Sequence, residues 1–132
     1  MFESTIDNSL GYAFGKDKRL LVAADYKNVF DNNDWKVSNK ESLCLSIKNT
    51  KQAPRLGLVI AKKNVKLAVH RNRIKRIIRD SFRLHQHELP HADIVILARR
   101  GLGEKTNADI HKQFEDTWRR LIKKAKQSPK IS

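Results

Sequence analysis

Apolar residues recur at helical spacing along the segment that runs from Ile74 to Phe82. At about 100° per residue, Ile77, Ile78, Ser81 and Phe82 fall within roughly 80° of Ile74, a contiguous core-facing stripe. The pattern predicts a helix from Val69 to about His87, roughly 28 Å long. Two further stretches carry the same period. Val22 to Asp31 places Tyr26, Val29 and Phe30 on one face, although no side-chain acceptor precedes Asp25 to cap its start. Asn107 to Lys124 aligns Ile110, Phe114, Trp118, Leu121 and Ile122.

Between these helices the pattern changes to short strand-like pieces, Trp35–Ser38, Leu43–Lys48 and Arg55–Ala61, separated by polar turns. Asp93–Leu97 is apolar on both alternating faces, so it is expected at the centre of a sheet. Asp31–Asp34 is turn chemistry, and Gly101–Gly103 a loop before the last helix. The expected order is α-β-β-β-α-β-α. That is an α+β fold, a two-layer sandwich of a small mixed sheet of about four strands with three helices. One domain is expected over residues 19–126, with a loosely held N-terminal arm over 1–18, ordered if anywhere at Phe14, and a flexible tail over 127–132.

Charge changes this picture more than composition does. Of the chain's net +14, +8 lies in the 22 residues from Lys62 to Arg83, which hold nine lysines and arginines and one acid, Asp80. On the helical wheel Asn72, Lys75, Arg76, Arg79 and Arg83 occupy the half opposite the isoleucines, with Arg71 and Arg73 on the two flanks. Ordinary surface helices alternate signs four residues apart. A helix with this much unmatched positive charge is suited to a polyanion, and arginine grips phosphate bidentately. No apolar run approaches the ~20 residues that span a bilayer. The N-terminus lacks the pattern of a signal peptide, and the single cysteine, Cys44, sits in an apolar strand. A reducing cytoplasm is the expected setting.

The residues for protein-based catalysis do not converge. Fourteen acids are scattered, with no paired-carboxylate cluster. His85 and His87 point about 160° apart on a helix, and Pro90 intervenes before His91, so no metal site is expected.

The run Arg55-Leu-Gly57-Leu-Val-Ile-Ala-Lys62-Lys63, a loop, and then Arg71-Asn72-Arg73-Ile74-Lys75-Arg76-Ile-Ile-Arg79-Asp-Ser-Phe82-Arg83 resembles the protein subunit of bacterial ribonuclease P. The likeness covers about residues 19 to 122, including Tyr26-Lys-Asn-Val-Phe30 and the Asp93–Arg99 strand. The loop Asn64–His70 departs from the family in lacking a glycine. The resemblance implies a left-handed strand–helix–strand crossover around the basic helix, which is rare. It also implies a protein cofactor for an RNA-based endoribonuclease that removes the 5′ leader of precursor tRNA and leaves a 5′-phosphate. The RNA subunit and its Mg²⁺ then perform the hydrolysis, with one protein per RNA and no catalytic residue or cofactor on the protein.

Carried onto this chain, Arg71, Asn72, Arg73, Lys75, Arg76 and Arg79 would contact the catalytic RNA, with Lys62, Lys63, Lys66 and Arg83 beside them. Tyr26 and Phe30, with Arg19 at its mouth, would line a cleft for the single-stranded leader, where stacking contributes about 1–3 kcal/mol per base. For Tyr26 and Phe30 plain core packing is the competing expectation. A structural RNA-binding protein of ribosomal type is the alternative function, and a DNA-binding helix-turn-helix is disfavoured by the lack of a short preceding helix.

Overall fold

The computed structural model describes residues 22–127. The expected arm over 1–18, Arg19 and the tail beyond Gln127 lie outside the described residues. The elements are α1 (Ala23–Asn32), β1 (Trp35–Ser38), β2 (Ser42–Lys48), β3 (Arg55–Val59), α2 (Ala68–His85), β4 (Ala92–Ala98), a short 3-10 turn (Leu102–Glu104) and α3 (Asn107–Gln127). The sheet order is β1-β2-β4-β3, with β3 and β4 parallel and the other pairs antiparallel. As its two-sided apolarity predicted, β4 is an interior strand. The α+β architecture and element order match the sequence reading. Parallel neighbours need a crossover, and α2 supplies it.

The two faces of the sheet are covered unequally. On one face, Trp35, Val37, Cys44, Leu56, Leu58, Ile94 and Ile96 meet the apolar stripes of α2 and α3 in the main core. Ile74, Ile77, Ile78, Ser81 and Phe82 are all buried there, so the wheel places α2 in the correct rotation. Phe82 and Phe114 each lie with ring centroids 6.0 Å from Trp118, and the Trp118 indole N–H donates to Ser81 Oγ at 2.8 Å. A buried serine on an isoleucine stripe is explained by that partner. On the other face, among the described residues, α1 packs through Tyr26 and Val29 onto Leu45 and Val95, while Leu43, Ile47, Val59 and Leu97 remain half-buried.

Boundaries move where hydrogen bonds outweigh hydropathy. β3 stops at Val59 rather than Ala61, because the Ala61 carbonyl accepts from Asn64 N and Val65 N in a turn. In α3, Thr117 is buried and Ile122 only half-buried. Thr117 Oγ1 donates to the Gln113 carbonyl and accepts from Asn39 Nδ2 at 3.0 Å, tying α3 to the β1–β2 turn. α1 begins, as expected, without a side-chain cap. Its stability is therefore tertiary.

Cys44 is 1% exposed, and burial pushes its thiol up to about 12 from an ordinary 9.0. The raised value means the unfolded chain ionises first as pH rises. The Cys44 contribution to stability is therefore intact below pH 9.0 and is lost between there and about 12, with a limiting slope of about 1.4 kcal/mol per pH unit. In native buffer at pH 8, a disulfide reagent should label Cys44 only at the rate of unfolding. Rapid labelling of the folded protein would show that β2 opens locally.

Candidate nucleic-acid interface

The buried stripe of α2 decides which cations reach solvent. With Ile74 and Ile78 at 0% exposure, Asn72 and Arg76 stand exposed on the outer side, and Lys62, Lys63 and Lys66 are exposed in the preceding loop. Lys75, Arg79 and Arg83 lie partly exposed along the same helix. Asp80 lies 2.7 Å from Arg83; it is the helix's only acid and cannot neutralise the row. The first turn of α2 contains no acid and its N-cap no side-chain bond, so the positive end of the helix dipole adds to the field of Lys66. Arg83 and His85 in the last turn suit the opposite end.

Two signature arginines are turned inward. Arg71 Nη1 donates to the carbonyls of Val65 and Lys66, at 3.0 and 2.8 Å, and closes the loop that leads into its own helix. Arg73 donates to the Lys105 and Gly103 carbonyls and to Asn107 Oδ1, at 3.2, 2.9 and 2.6 Å, clamping α2 to the start of α3. Both partner sets are neutral, so these guanidiniums keep their full charge while losing freedom of movement. The wheel had put both at the apolar boundary. It could not show that backbone carbonyls lie there.

The half-covered sheet face forms the second part. Register sets its side chains in rows across the sheet: Ile47–Asp93–Arg55, then Lys36–Leu45–Val95–Gly57, then Ser38–Leu43–Leu97–Val59. α1 covers the middle row. Tyr26 is 2% exposed and sits directly over Gly57, where an added Cβ would come within 2.7 Å of its ring. Phe30 is 37% exposed. The two aromatics expected to share one face thus have separate environments, because a four-residue step carries Phe30 past the glycine seat. Gly57→Ala should displace α1 and destabilise the fold by about 1–3 kcal/mol, measurable by urea denaturation. Unchanged stability would mean that α1 shifts freely on the sheet.

The first row contains a charged lock. Arg55 Nε and Nη2 donate to the two Asp93 carboxylate oxygens, each at 2.8 Å, and Asn49 Nδ2 donates to Asp93 Oδ1 at 2.9 Å. Asp25 of α1 lies 3.5 Å from the same guanidinium. The Asp93 hydrogen bond raises the Arg55 pKa further above its ordinary value. This cluster fixes the angle at which α1 leaves the sheet.

Among the described residues no group of three or more His, Cys, Asp or Glu could hold a metal ion. Nor is any helix among them long and apolar enough to cross a membrane. Sequence reasoning missed Lys40, Arg99 and Arg100. The Arg99–Arg100 doublet directly after a strand was a visible signal, but its neighbours emerge only from strand pairing.

Comparison with known proteins agrees with this geometry. The family model described as Ribonuclease P matches residues 14–122. The ribonuclease P protein component of Pseudomonas aeruginosa is 54% identical over 110 residues, 83% of this chain and 82% of that protein. Its counterpart in Pseudomonas entomophila is 51% identical over 119 residues, 90% of this chain and 89% of that one. A solved structure of the Staphylococcus aureus RNase P protein superposes with a TM-score of 0.71 at 29% identity, covering 83% of this chain and 95% of that one.

Proposed function

This chain belongs to the ribonuclease P protein family, and we propose that it is the protein cofactor of an RNA-based endoribonuclease that matures tRNA 5′ ends. The enzyme is the ribonucleoprotein, and the protein is its accessory subunit. The observation that carries this reading is a rigid row of cations on α2, which outnumber the helix's single acid, beside a half-covered sheet face. Hydrolysis is assigned to the RNA subunit and its Mg²⁺, and the protein acts by position and charge.

In this reading Lys62, Lys63, Lys66, Asn72, Lys75, Arg76, Arg79 and Arg83 meet the phosphates of the catalytic RNA. Arg71 and Arg73 hold the loop and helix that present them, and their retained charge adds to the same field. The single-stranded 5′ leader of precursor tRNA lies against the sheet beside α1, where Phe30 offers a ring and Leu43, Leu97 and Val59 an apolar row. Tyr26 supports the floor of that cleft, and Arg19 would add a cation to leader binding. Stacking and phosphate contacts together suit a single strand read without base specificity. The complex is one protein per catalytic RNA, in the cytoplasm, with the domain spanning residues 19–126.

Screening of phosphate repulsion between two RNAs matters most when divalent ions are scarce. Purified protein added to its catalytic RNA should therefore restore precursor-tRNA cleavage at low Mg²⁺, where the RNA alone is slow. Tight binding to ribosomal RNA with no effect on cleavage would support a structural ribosomal role instead.

A further inference from the structure

Strand pairing assembles a second cationic surface that helix periodicity does not reveal. β3 and β4 are parallel, so both end at the same edge of the sheet. β3 runs on to Lys62-Lys63, and β4 to Arg99-Arg100. The β1–β2 turn with Lys40 lies at that edge too, because Ser38, Leu43, Leu97 and Val59 form one row across all four strands.

The edge is fixed in place. Asn64 Nδ2 donates to the Ala98 carbonyl at 3.0 Å and pins the Lys62-Lys63 turn beside the end of β4. Arg99 Nη1 donates to the Asn39 carbonyl at 2.6 Å and to Ser38 Oγ at 3.1 Å. Its backbone N–H donates to the Glu41 carbonyl at 2.9 Å. These partners are neutral, and among the described residues no carboxylate forms an ion pair with Arg99. The Glu41 carboxylate lies 3.7 Å from Lys105, and Glu104 is exposed nearby. Among the described residues no carboxylate forms an ion pair with Lys40, Lys62, Lys63 or Arg100.

This edge borders the half-buried row Leu43–Leu97–Val59, and the combination is specific. An apolar strip suits bases, and a cationic rim one step beyond it suits the phosphates that connect them. A protein surface partner would find no acid-pairing geometry in the strip, and a duplex could not lay its bases on it. Granted that the leader lies on the sheet, as proposed, we infer that Arg99, Arg100 and Lys40 form a phosphate-gripping rim. There the leader passes from the sheet face across its edge to the lysine loop ahead of α2. The cleft and the basic helix then form one continuous RNA track.

The test uses the reconstituted holoenzyme with Lys40→Glu/Arg100→Glu, two exposed positions outside the core, and with the milder Lys40→Gln/Arg100→Gln. Affinity is measured for precursors of increasing leader length, for mature tRNA, and for assembly with the catalytic RNA; unchanged thermal unfolding serves as the folding control. The wild-type protein should bind more tightly as the leader lengthens. With the Glu pair the gain should stop at a shorter leader, leaving the longest precursors about tenfold or more weaker. The Gln pair should lie between, and mature tRNA and assembly should be unaffected. A variant that follows the wild type at every length overturns the rim. Loss of assembly with no change in leader dependence also overturns it, since the surface would then face the catalytic RNA. If the wild type shows no leader dependence at all, leader binding fails, and the rim with it.

Discussion

Reversing the charge of Lys66 and Arg76 together should weaken assembly with the catalytic RNA by roughly 10²–10³-fold near 0.1 M salt. Both side chains are exposed beside the α2 stripe, and neither takes part in the clamps made by Arg71 and Arg73. Each reversal removes a phosphate contact and adds a repulsion, and a factor of ten corresponds to about 1.4 kcal/mol. The log–log salt dependence should also flatten by about two, one for each lost contact. Lys123→Glu/Lys126→Glu, on exposed positions near the end of α3, changes the net charge by the same amount. That pair should cost less than tenfold. Equal losses from the two pairs would show that assembly responds to overall charge and not to the α2 row.

Asp93→Ala is expected to cost about 3–5 kcal/mol of stability. The side chains of Arg55 and Asp93 are only 13% and 6% exposed, so removing the carboxylate leaves a buried guanidinium with one distant partner, Asp25 at 3.5 Å. Asn49 loses its acceptor as well. Replacing both partners by apolar residues, Arg55→Met with Asp93→Leu, should recover much of the loss, because desolvation of the charges is then avoided. Urea denaturation of the two single variants and the pair gives the coupling energy directly. A single-variant cost below about 1 kcal/mol would place this contact with ordinary surface ion pairs. Because Asp25 belongs to α1, both single variants should also loosen the cleft side of the sheet, and precursor affinity should fall more than mature-tRNA affinity.

Much of the fold was legible because the features that define it are local. The five buried positions of α2 are those of the wheel. Trp118 and Phe114 lie on the stripe drawn for α3, and β4 is interior because both its faces are apolar. Tyr26 was harder to place. Helical spacing joins it to Phe30, but its burial depends on Gly57, 31 residues further along the chain and on a different element. Composition likewise marked Arg71 and Arg73 as cations without showing that carbonyls of the loop and of the α3 start hold them.

By itself, then, the order of residues determined the helices, the interior strand and the rotation of α2, since 3.6- and 2-residue periods are properties of consecutive positions. It also determined that the charge on α2 would outnumber its single acid. Only the tertiary structure decided which arginines reach outward, which glycine seats Tyr26, and that Lys40, Lys62-Lys63 and Arg99-Arg100 come to one edge. Those outcomes depend on strand register and on carbonyl groups left open by turns, and pairing between distant segments sets both.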